Sequence, residues 1–149
     1  MTTGGPADAG TAVVRRVLPA PPDVVYEEWL DPEALAEFVC PHPTTAGPIE
    51  VDARPGGRLL ITMVDPGRVV KITGEYLELD RPRRLRFTWN SEYGGGFSSI
   101  VTVTLEPHGD GQTHMTIEHT QLPASFRDDH ERGWTIDAEQ LERRLARRP

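Results

Sequence analysis

The clearest pattern of hydrophobic and polar positions lies in the last stretch of the chain, residues 125–148. Four apolar residues there recur at the spacing i, i+4, i+7 and i+11, namely Trp134, Ala138, Leu141 and Leu145. At about 100° per residue these positions fall within a narrow arc, which predicts a long amphipathic helix with one buried stripe. Ile136 falls on the opposite face of this helix, where we expect it to be exposed.

Both ends of this stretch carry helix signals. Ser125 and Asp128 have the S-x-x-D spacing of a capping box. Acidic residues crowd the first turns and arginines the last, which is the arrangement that the helix dipole favours. His130 lies one turn before Trp134, and Gly133 occupies a helix interior, where it costs about 1 kcal/mol relative to Ala. We therefore expect this end of the helix to border an open space.

The beginning of the chain predicts an arm, one strand and two short helices. Residues 1–10 have no periodicity and are expected to be disordered. Thr11 to Leu18 is rich in β-branched residues and predicts a strand. Prolines open a short helix over 22–30, and Asp31 is a natural N-cap for a second helix that ends at about Phe38.

The next stretch, 40–48, reads CPHPTTAGP and predicts a loop. Cys40 and His42 lie two residues apart in it. Two candidate ligands in a proline-rich loop are a weak metal signal, so we predict no metal site.

After this loop the hydrophobic period changes to two residues. Glycine- and proline-rich turns separate six alternating runs, at about 49–53, 58–64, 68–79, 83–90, 97–106 and 112–121. Such a pattern predicts a six-stranded antiparallel meander with one buried face and one polar face. The C-terminal helix is the expected cover of the buried face.

The last of these strands places a histidine among its inward residues. Met115 and Ile117 must face the core, and His119 follows them at the same period of two. His130 begins the inward stripe of the C-terminal helix. We therefore predict that the two histidines face one another across the open end of the interior.

Length and charge limit the classes of function. The chain has 149 residues and no break in composition, so residues 11–149 are predicted to form a single domain. Its 16 basic and 23 acidic residues give a net charge of -7, which argues against nucleic acid and against anionic membrane surfaces as partners.

Cysteine content and hydropathy indicate the compartment. Cys40 is the single cysteine, so an intramolecular disulfide is excluded. No apolar run approaches the roughly 20 residues of a membrane span, and we expect a cytoplasmic protein. Lys71 is the sole lysine among the basic residues, a bias typical of a high-GC bacterial genome.

Several segments resemble the Hsp90 ATPase activator homologue (AHSA1-like) family of the START-like, or SRPBCC, superfamily. They are PPDVVYEEWLDPEALAEF, VDARPGG at 51–57, GEYLELDRPRRLRFTW at 74–89, and THMTIEHTQLP followed by HERGWTIDAEQLERRL. The Gly133-Trp134 pair, with leucines seven and eleven residues beyond the tryptophan, is the most specific part. The chain departs from many relatives at 38–41, where it has FVCP in place of tryptophans.

This resemblance implies an α+β helix-grip fold. In that fold a curved antiparallel sheet of about seven strands wraps around a long C-terminal helix, with two short helices after the first strand. The space between sheet and helix is typically a ligand cavity in this superfamily. Its expected lining here is Trp29, Phe38, Trp89, Phe97, His119, His130 and Trp134.

Three functions compete at this point. The first is binding of a lipophilic or aromatic small molecule, as a carrier, sensor or scavenger, without a cofactor. The second is a cofactor-free cyclase or dehydratase type of enzyme with His119 and His130 as general acid and base. The third is an Hsp90-type chaperone partner, which the family name implies. No known catalytic motif is present, so we favour binding over catalysis, and a homodimer stays open.

Overall fold

The computed structural model describes residues 10–92 and 96–148, and its elements follow the predicted order. The strands are β1 (Ala12–Leu18), β2 (Thr45–Val51), β3 (Arg58–Asp65), β4 (Arg68–Asp80), β5 (Arg84–Ser91), β6 (Phe97–His108) and β7 (Gln112–Thr120). The helices are α1 (Pro22–Leu30), α2 (Pro32–Phe38) and α3 (Arg127–Ala146), and a short 3₁₀ turn (Ala124–Phe126) precedes α3.

The seven strands form one antiparallel sheet in the order β1-β7-β6-β5-β4-β3-β2. Strands β2 to β7 are a meander, and β1 pairs with β7 at its edge. One row of inward residues crosses the sheet, because Ala12 pairs with His119, His119 with Val101, Val101 with Phe87 and Phe87 with Tyr76. All five are buried, so the predicted alternation is confirmed.

The sheet curls around α3, which confirms the predicted helix-grip architecture. The four residues of the predicted stripe are all buried, namely Trp134, Ala138, Leu141 and Leu145. They pack into the same core as the inward residues of the strands. Burial of this apolar stripe is the main stabilising contact between the helix and the sheet.

The two short helices close one end of the core. Asp31 ends α1 and caps α2, since its Oδ1 accepts a hydrogen bond from the Glu33 amide at 3.0 Å. Glu28 on α1 is buried and accepts hydrogen bonds from both Nε and Nη2 of Arg144, the first at 2.6 Å. This ion pair ties α1 to the last turns of α3.

Strand β2 begins earlier than its predicted start at residue 49. Thr45 pairs with Val64 and Ala46 with Met63, so residues that we assigned to a loop belong to the sheet. The register then shifts between Ala46 and Ile49, on either side of Pro48. An irregularity at the edge of a sheet accommodates a proline, which has no amide proton to donate.

The predicted capping box at Ser125 and Asp128 is wrong. Ser125 lies in the 3₁₀ turn, and the N-cap of α3 is Phe126, which makes no side-chain capping hydrogen bond. The Phe126 carbonyl is instead in contact with Nδ1 of His130 at 2.9 Å. The 3₁₀ turn therefore delays the start of the helix by one residue, and the Phe126 carbonyl at its end fixes the ring of His130.

The predicted arm, 1–10, lies outside the described residues except for Gly10. Gly10 is buried, and its carbonyl accepts a hydrogen bond from the Leu122 amide at 3.0 Å. A Cβ on Gly10 would lie 1.7 Å from the Leu122 oxygen, so a side chain cannot fit there. Our assignment of Gly10 to the arm was wrong, because this residue is packed against the fold.

Candidate functional site

A cavity of about 500 Å³ opens between the sheet and the first half of α3. Strands β3, β4 and β5 form one wall, α3 forms the other, and the loop after α2 forms part of the rim. Its apolar lining is Met63, Val70, Ile72, Trp89, Trp134 and Ile136. The volume lies within the range of small-molecule sites, about 300 to 1,000 Å³.

The helix contributes to this opening through a missing side chain. Gly133 lies on the cavity wall, and the nearest atom to a Cβ built there is Cγ of Pro41, at 3.8 Å. The glycine in the helix interior therefore leaves room between α3 and the rim. This agrees with the expectation that the Gly133 end of the helix borders an open space.

Gln140 holds the rim of the cavity in place. Its Nε2 donates hydrogen bonds to the carbonyls of Phe38 and Cys40, each at 3.1 Å. Its Oε1 accepts from the His42 amide at 3.2 Å. One side chain of α3 thus fixes the backbone on which the rim residues Pro41 to Thr44 are carried.

Two tryptophans form the inner end of the cavity. The ring centroids of Trp89 and Trp134 are 5.2 Å apart, with a tilt of 56°. Trp134 also lies 6.0 Å from Trp29, deeper in the core. Rings at these separations favour one another beyond simple burial, so the aromatic wall is continuous with the core and is held rigidly.

His119 fixes the orientation of Trp134 through a chain of hydrogen bonds. The indole Nε1 of Trp134 can only donate, so Nδ1 of His119 accepts, at 2.9 Å. The ring proton therefore lies on Nε2, which donates to Oγ of Ser99 at 2.7 Å. Ser99 in turn donates to the Trp89 carbonyl at 2.9 Å. Both nitrogens of a neutral His119 are thus occupied.

The protonation of His119 follows from its surroundings. It is fully buried, and desolvation holds its pKa well below the ordinary value, with a smaller lowering from His130. A neutral ring is also the form that accepts from Trp134. His119 therefore acts as a buried hydrogen-bonding group behind the cavity wall.

His130 lies nearer the opening. Its ring centroid is 5.1 Å from that of His119 and 5.6 Å from that of Phe97. Burial lowers its pKa, while the hydrogen bond to Phe126 and the charge of Asp129 oppose this effect. With Nδ1 directed to the Phe126 carbonyl, the half-buried ring lines the cavity in its neutral form at neutral pH.

Asp137 is the polar group buried most deeply in the wall. Its side chain is 4 % exposed, and desolvation holds its pKa well above the ordinary value. Within residues 10–92 and 96–148, Oδ1 of Asp137 and Nε1 of Trp89 have no hydrogen-bond partner. An unpaired buried polar atom lowers the stability of the folded protein by about 1 to 3 kcal/mol. Trp89 and Asp137, which both line the cavity, each carry one such atom.

Charges at the mouth are paired. Arg68 lies 3.6 Å from Asp65 across the turn between β3 and β4. Arg132 contacts Asp129 on the first turns of α3. All four residues line the cavity, and their opposite charges cancel at its opening.

The seven residues that the resemblance placed on the lining separate into two groups. Trp89, His130 and Trp134 lie on the cavity wall, and His119 lies directly behind it. Trp29 and Phe38 are buried against each other in the core, with ring centroids 5.0 Å apart, and Phe97 packs against Phe126 and His130. The predicted approach of His119 and His130 is present, with their rings on the same side of the sheet.

Ile136 was wrongly predicted to be exposed on the far side of α3. It is half-buried and lines the cavity. Its position on the helix is as predicted, but the curled sheet and the rim reach around that side of α3. A helical wheel cannot show this enclosure, because it contains no information about the partner surface.

Two polar residues of the site were missed in the sequence. Asp137 lies three residues after Trp134 and four before Leu141, so it falls on the buried stripe by spacing alone. Ser99 shares the inward phase of Phe97 and Val101 on β6. Both were passed over as polar residues among apolar ones, although a polar residue in a buried phase is the more informative signal.

The part of the chain that the structure describes lacks two other kinds of feature. No group of three or more His, Cys, Asp or Glu side chains there could hold a metal ion. No helix of the described ranges is long and apolar enough to cross a membrane.

Comparison with known proteins identifies relatives over nearly the whole chain. Residues 19–146 match the model of the family described as Activator of Hsp90 ATPase homolog 1-like protein. A crystal structure of a protein from Chromobacterium violaceum is 32% identical, with a TM-score of 0.83, covering 91% of this chain and 97% of that one. The chain matches no curated protein.

Two further solved structures share the architecture. A protein from Nitrosomonas europaea is 26% identical with a TM-score of 0.78, over 93% of this chain and 95% of that one. An AHSA1 protein from Silicibacter pomeroyi is 23% identical with a TM-score of 0.82, over 92% and 98%. At this lower identity the second likeness supports the fold alone.

Proposed function

The chain belongs to the Activator of Hsp90 ATPase homolog 1-like family, and from this premise we propose that it binds a lipophilic or aromatic small molecule in the cavity between sheet and helix. The protein would serve as a carrier, a sensor or a scavenger of that molecule, in the cytoplasm. Family membership is compatible with such a role but does not specify it, because one fold supports many functions.

The cavity itself is the observation that carries this proposal. A space of about 500 Å³ bounded by tryptophans and aliphatic side chains is more than a packed core leaves empty. Two of its lining residues, Trp89 and Asp137, each carry a buried polar atom without a hydrogen-bond partner in the described ranges. Apolar walls with a small number of polar groups are typical of small-molecule sites.

An acid–base role for the two histidines has less support. Both nitrogens of His119 are engaged, one with Trp134 and the other with Ser99. A general base needs a free nitrogen within hydrogen-bond reach of its substrate. Of the pair, only His130 borders the cavity, so binding explains the arrangement with fewer requirements than catalysis.

A chaperone partnership stays a prediction that rests on the family description. The large apolar side chains exposed among the described residues are Val69 and Leu77. Isolated exposed residues of this kind are ordinary on protein surfaces and do not mark an interface.

Two neighbouring valines provide a matched test of the proposed function. Val70 lines the cavity, whereas Val69, the residue before it in β4, is 55% exposed on the outer face. Val70→Trp should fill the cavity, and Val69→Trp should leave it open. Both variants and the wild type would be screened against a library of hydrophobic compounds by thermal unfolding.

A ligand at about one hundred times its Kd stabilises the native state by about 2.7 kcal/mol. For a domain of this size that corresponds to a rise in Tm of roughly 5 to 10 °C. We expect the library to contain compounds that raise the Tm of the wild type and of Val69→Trp by this amount. The same compounds should not raise the Tm of Val70→Trp. Binding that survives equally in Val70→Trp, or a library without a single stabilising compound, would contradict the proposal.

A further inference from the structure

Asp137 is a buried carboxyl group without a counter-charge among the described residues. It lies on the buried stripe of α3, is 4 % exposed and borders the cavity. Its Oδ1 has no hydrogen-bond partner in the part of the chain that the structure describes. A carboxyl group in this position destabilises the empty protein, and a ligand that pairs with it would recover that cost.

The wall next to Asp137 favours positive charge. Trp89 and Trp134 line the same cavity, and indole faces attract cations with energies that grow as water is excluded. The net charge of the whole chain is -7, which raises the local concentration of cationic ligands. The buried carboxyl of Asp137, the two indole rings and the net charge therefore all favour a positively charged ligand.

The other charged groups around the cavity do not oppose this. Arg68 is paired with Asp65, and Arg132 with Asp129. His42 and His130 complete the titratable groups on the lining, and burial keeps His130 neutral at neutral pH. Behind Asp137, burial raises the pKa of the Cys40 thiol to about 12, so that group is neutral too.

We propose that the cavity selects lipophilic amines, with the ligand ammonium paired to the carboxylate of Asp137 and the apolar remainder against Trp89 and Trp134. The inference rests on the proposed function, since it names the chemical class of the ligand for the same cavity. It also assigns Asp137 as the residue that determines this specificity.

Binding of an amine that is protonated in solution should release one proton. Burial holds the pKa of Asp137 well above its ordinary value in the empty cavity, so below that raised pKa the carboxyl is protonated there. An ammonium group displaces that proton to solvent and leaves the ion pair. Affinity for the amine should therefore rise with pH until the empty-state pKa of Asp137 is passed, whereas affinity for a neutral analogue should not.

The test uses matched pairs of ligands that differ only in this group. Tryptamine and tryptophol share an indole-ethyl skeleton, as phenethylamine and phenethyl alcohol share a phenyl-ethyl one, and dodecylamine and dodecanol an alkyl chain. Isothermal titration calorimetry of the full chain in buffers of different ionisation enthalpy would give both affinity and proton release. Asp137→Asn keeps the shape of the side chain but cannot be ionised.

For the wild type we expect the amine of at least one pair to bind roughly ten to one hundred times more tightly than its alcohol, with proton release approaching one at a pH below the raised pKa of Asp137. In Asp137→Asn the amine should lose that advantage and the proton release, while the alcohol binds as before. Asp137→Leu, monitored by its Tm, should be as stable as the wild type or more so, because it removes an unpaired buried carboxyl group.

The outcomes separate the two proposals. If alcohols bind as tightly as amines, or if Asp137→Asn leaves the preference for amines intact, the cavity binds ligands but Asp137 does not select them. If proton release persists in Asp137→Asn, another group is responsible and the assignment is wrong. If no member of any pair binds, the proposed function itself is contradicted.

Discussion

Replacing His119 with Phe removes the hydrogen bonds of this ring while nearly preserving its shape. In the wild type Nδ1 accepts from Trp134, and Nε2 donates to Ser99. Ser99 keeps its own bond to the Trp89 carbonyl in the variant, but Nε1 of Trp134 loses its acceptor. A buried donor left unpaired costs about 1 to 3 kcal/mol, and that is the loss of unfolding free energy that we expect at pH 7.5.

This loss should depend on pH in a defined direction. Because desolvation lowers the pKa of His119 in the folded protein, the unfolded chain binds a proton below about pH 6.5 while the folded protein does not. The stabilisation by His119 is therefore complete above that pH and is lost on acidification, at up to about 1.4 kcal/mol per pH unit. The opposite effect of Asp137, whose pKa is raised, is present in both proteins and cancels in the difference.

Urea denaturation of the wild type and of His119→Phe at pH 7.5 and pH 5.5 measures this difference. We expect the gap between the two proteins to narrow by about 1 kcal/mol at the lower pH. His114→Phe is the matched control, because His114 lies on the outer face of the same strand and its replacement should cost under about 0.5 kcal/mol. A variant as stable as the wild type, or a gap that is constant with pH, would refute the proposed role of the ring.

Two further predictions concern the core. Leu141 is fully buried on α3, so Leu141→Ala should lower the unfolding free energy by roughly 2 to 5 kcal/mol. The control Leu77→Ala, at a residue 40% exposed, should cost under about 1 kcal/mol. Equal losses in urea denaturation would show that the helix stripe is wrongly identified. Burial raises the pKa of Cys40 to about 12, so mass spectrometry should show alkylation by iodoacetamide at pH 8 only after unfolding in urea, and rapid labelling of the native protein would contradict this.

Most of the fold could be predicted because its signals are local. The alternation in β5 and β6, the turn residues between strands and the stripe of α3 depend on period alone. The errors occurred where tertiary contacts override local signals. Thr45 to Pro48 read as a loop, yet they belong to β2, and Thr45 and Ala46 pair with β3 at the edge of the sheet. The S-x-x-D motif at Ser125 lies in a 3₁₀ turn.

The site was less predictable, because its composition depends on where the helix and the sheet separate. Trp89, His130 and Trp134 line the cavity, but Trp29 and Phe38 have the same residue character and pack in the core. Nothing in the sequence distinguishes an aromatic residue at a cavity from one that fills a core, since both occupy inward positions of amphipathic elements.

Asp137 could have been recognised from the sequence as a candidate site residue. Its position on the stripe of α3 follows from its spacing to Trp134 and Leu141, and a carboxyl group at a buried position marks a candidate site. Whether it would find a partner could not be inferred from spacing. That depends on tertiary contacts: Arg132, which lines the same cavity, pairs with Asp129.

The indole N–H signals of the three tryptophans test the central claim most directly, because two of these rings line the cavity and the third does not. Trp89 and Trp134 line it, and Trp29 lies behind them in the core. The signals can be followed by two-dimensional proton–nitrogen NMR during titration with a stabilising hydrophobic compound, and assigned by Trp→Phe substitutions. We expect the signals of Trp89 and Trp134 to shift strongly and that of Trp29 to shift least. The shifts should saturate at one ligand per chain. Saturable binding that shifts Trp29 as much as the other two, or that shifts none of them, would contradict a ligand site between the sheet and α3.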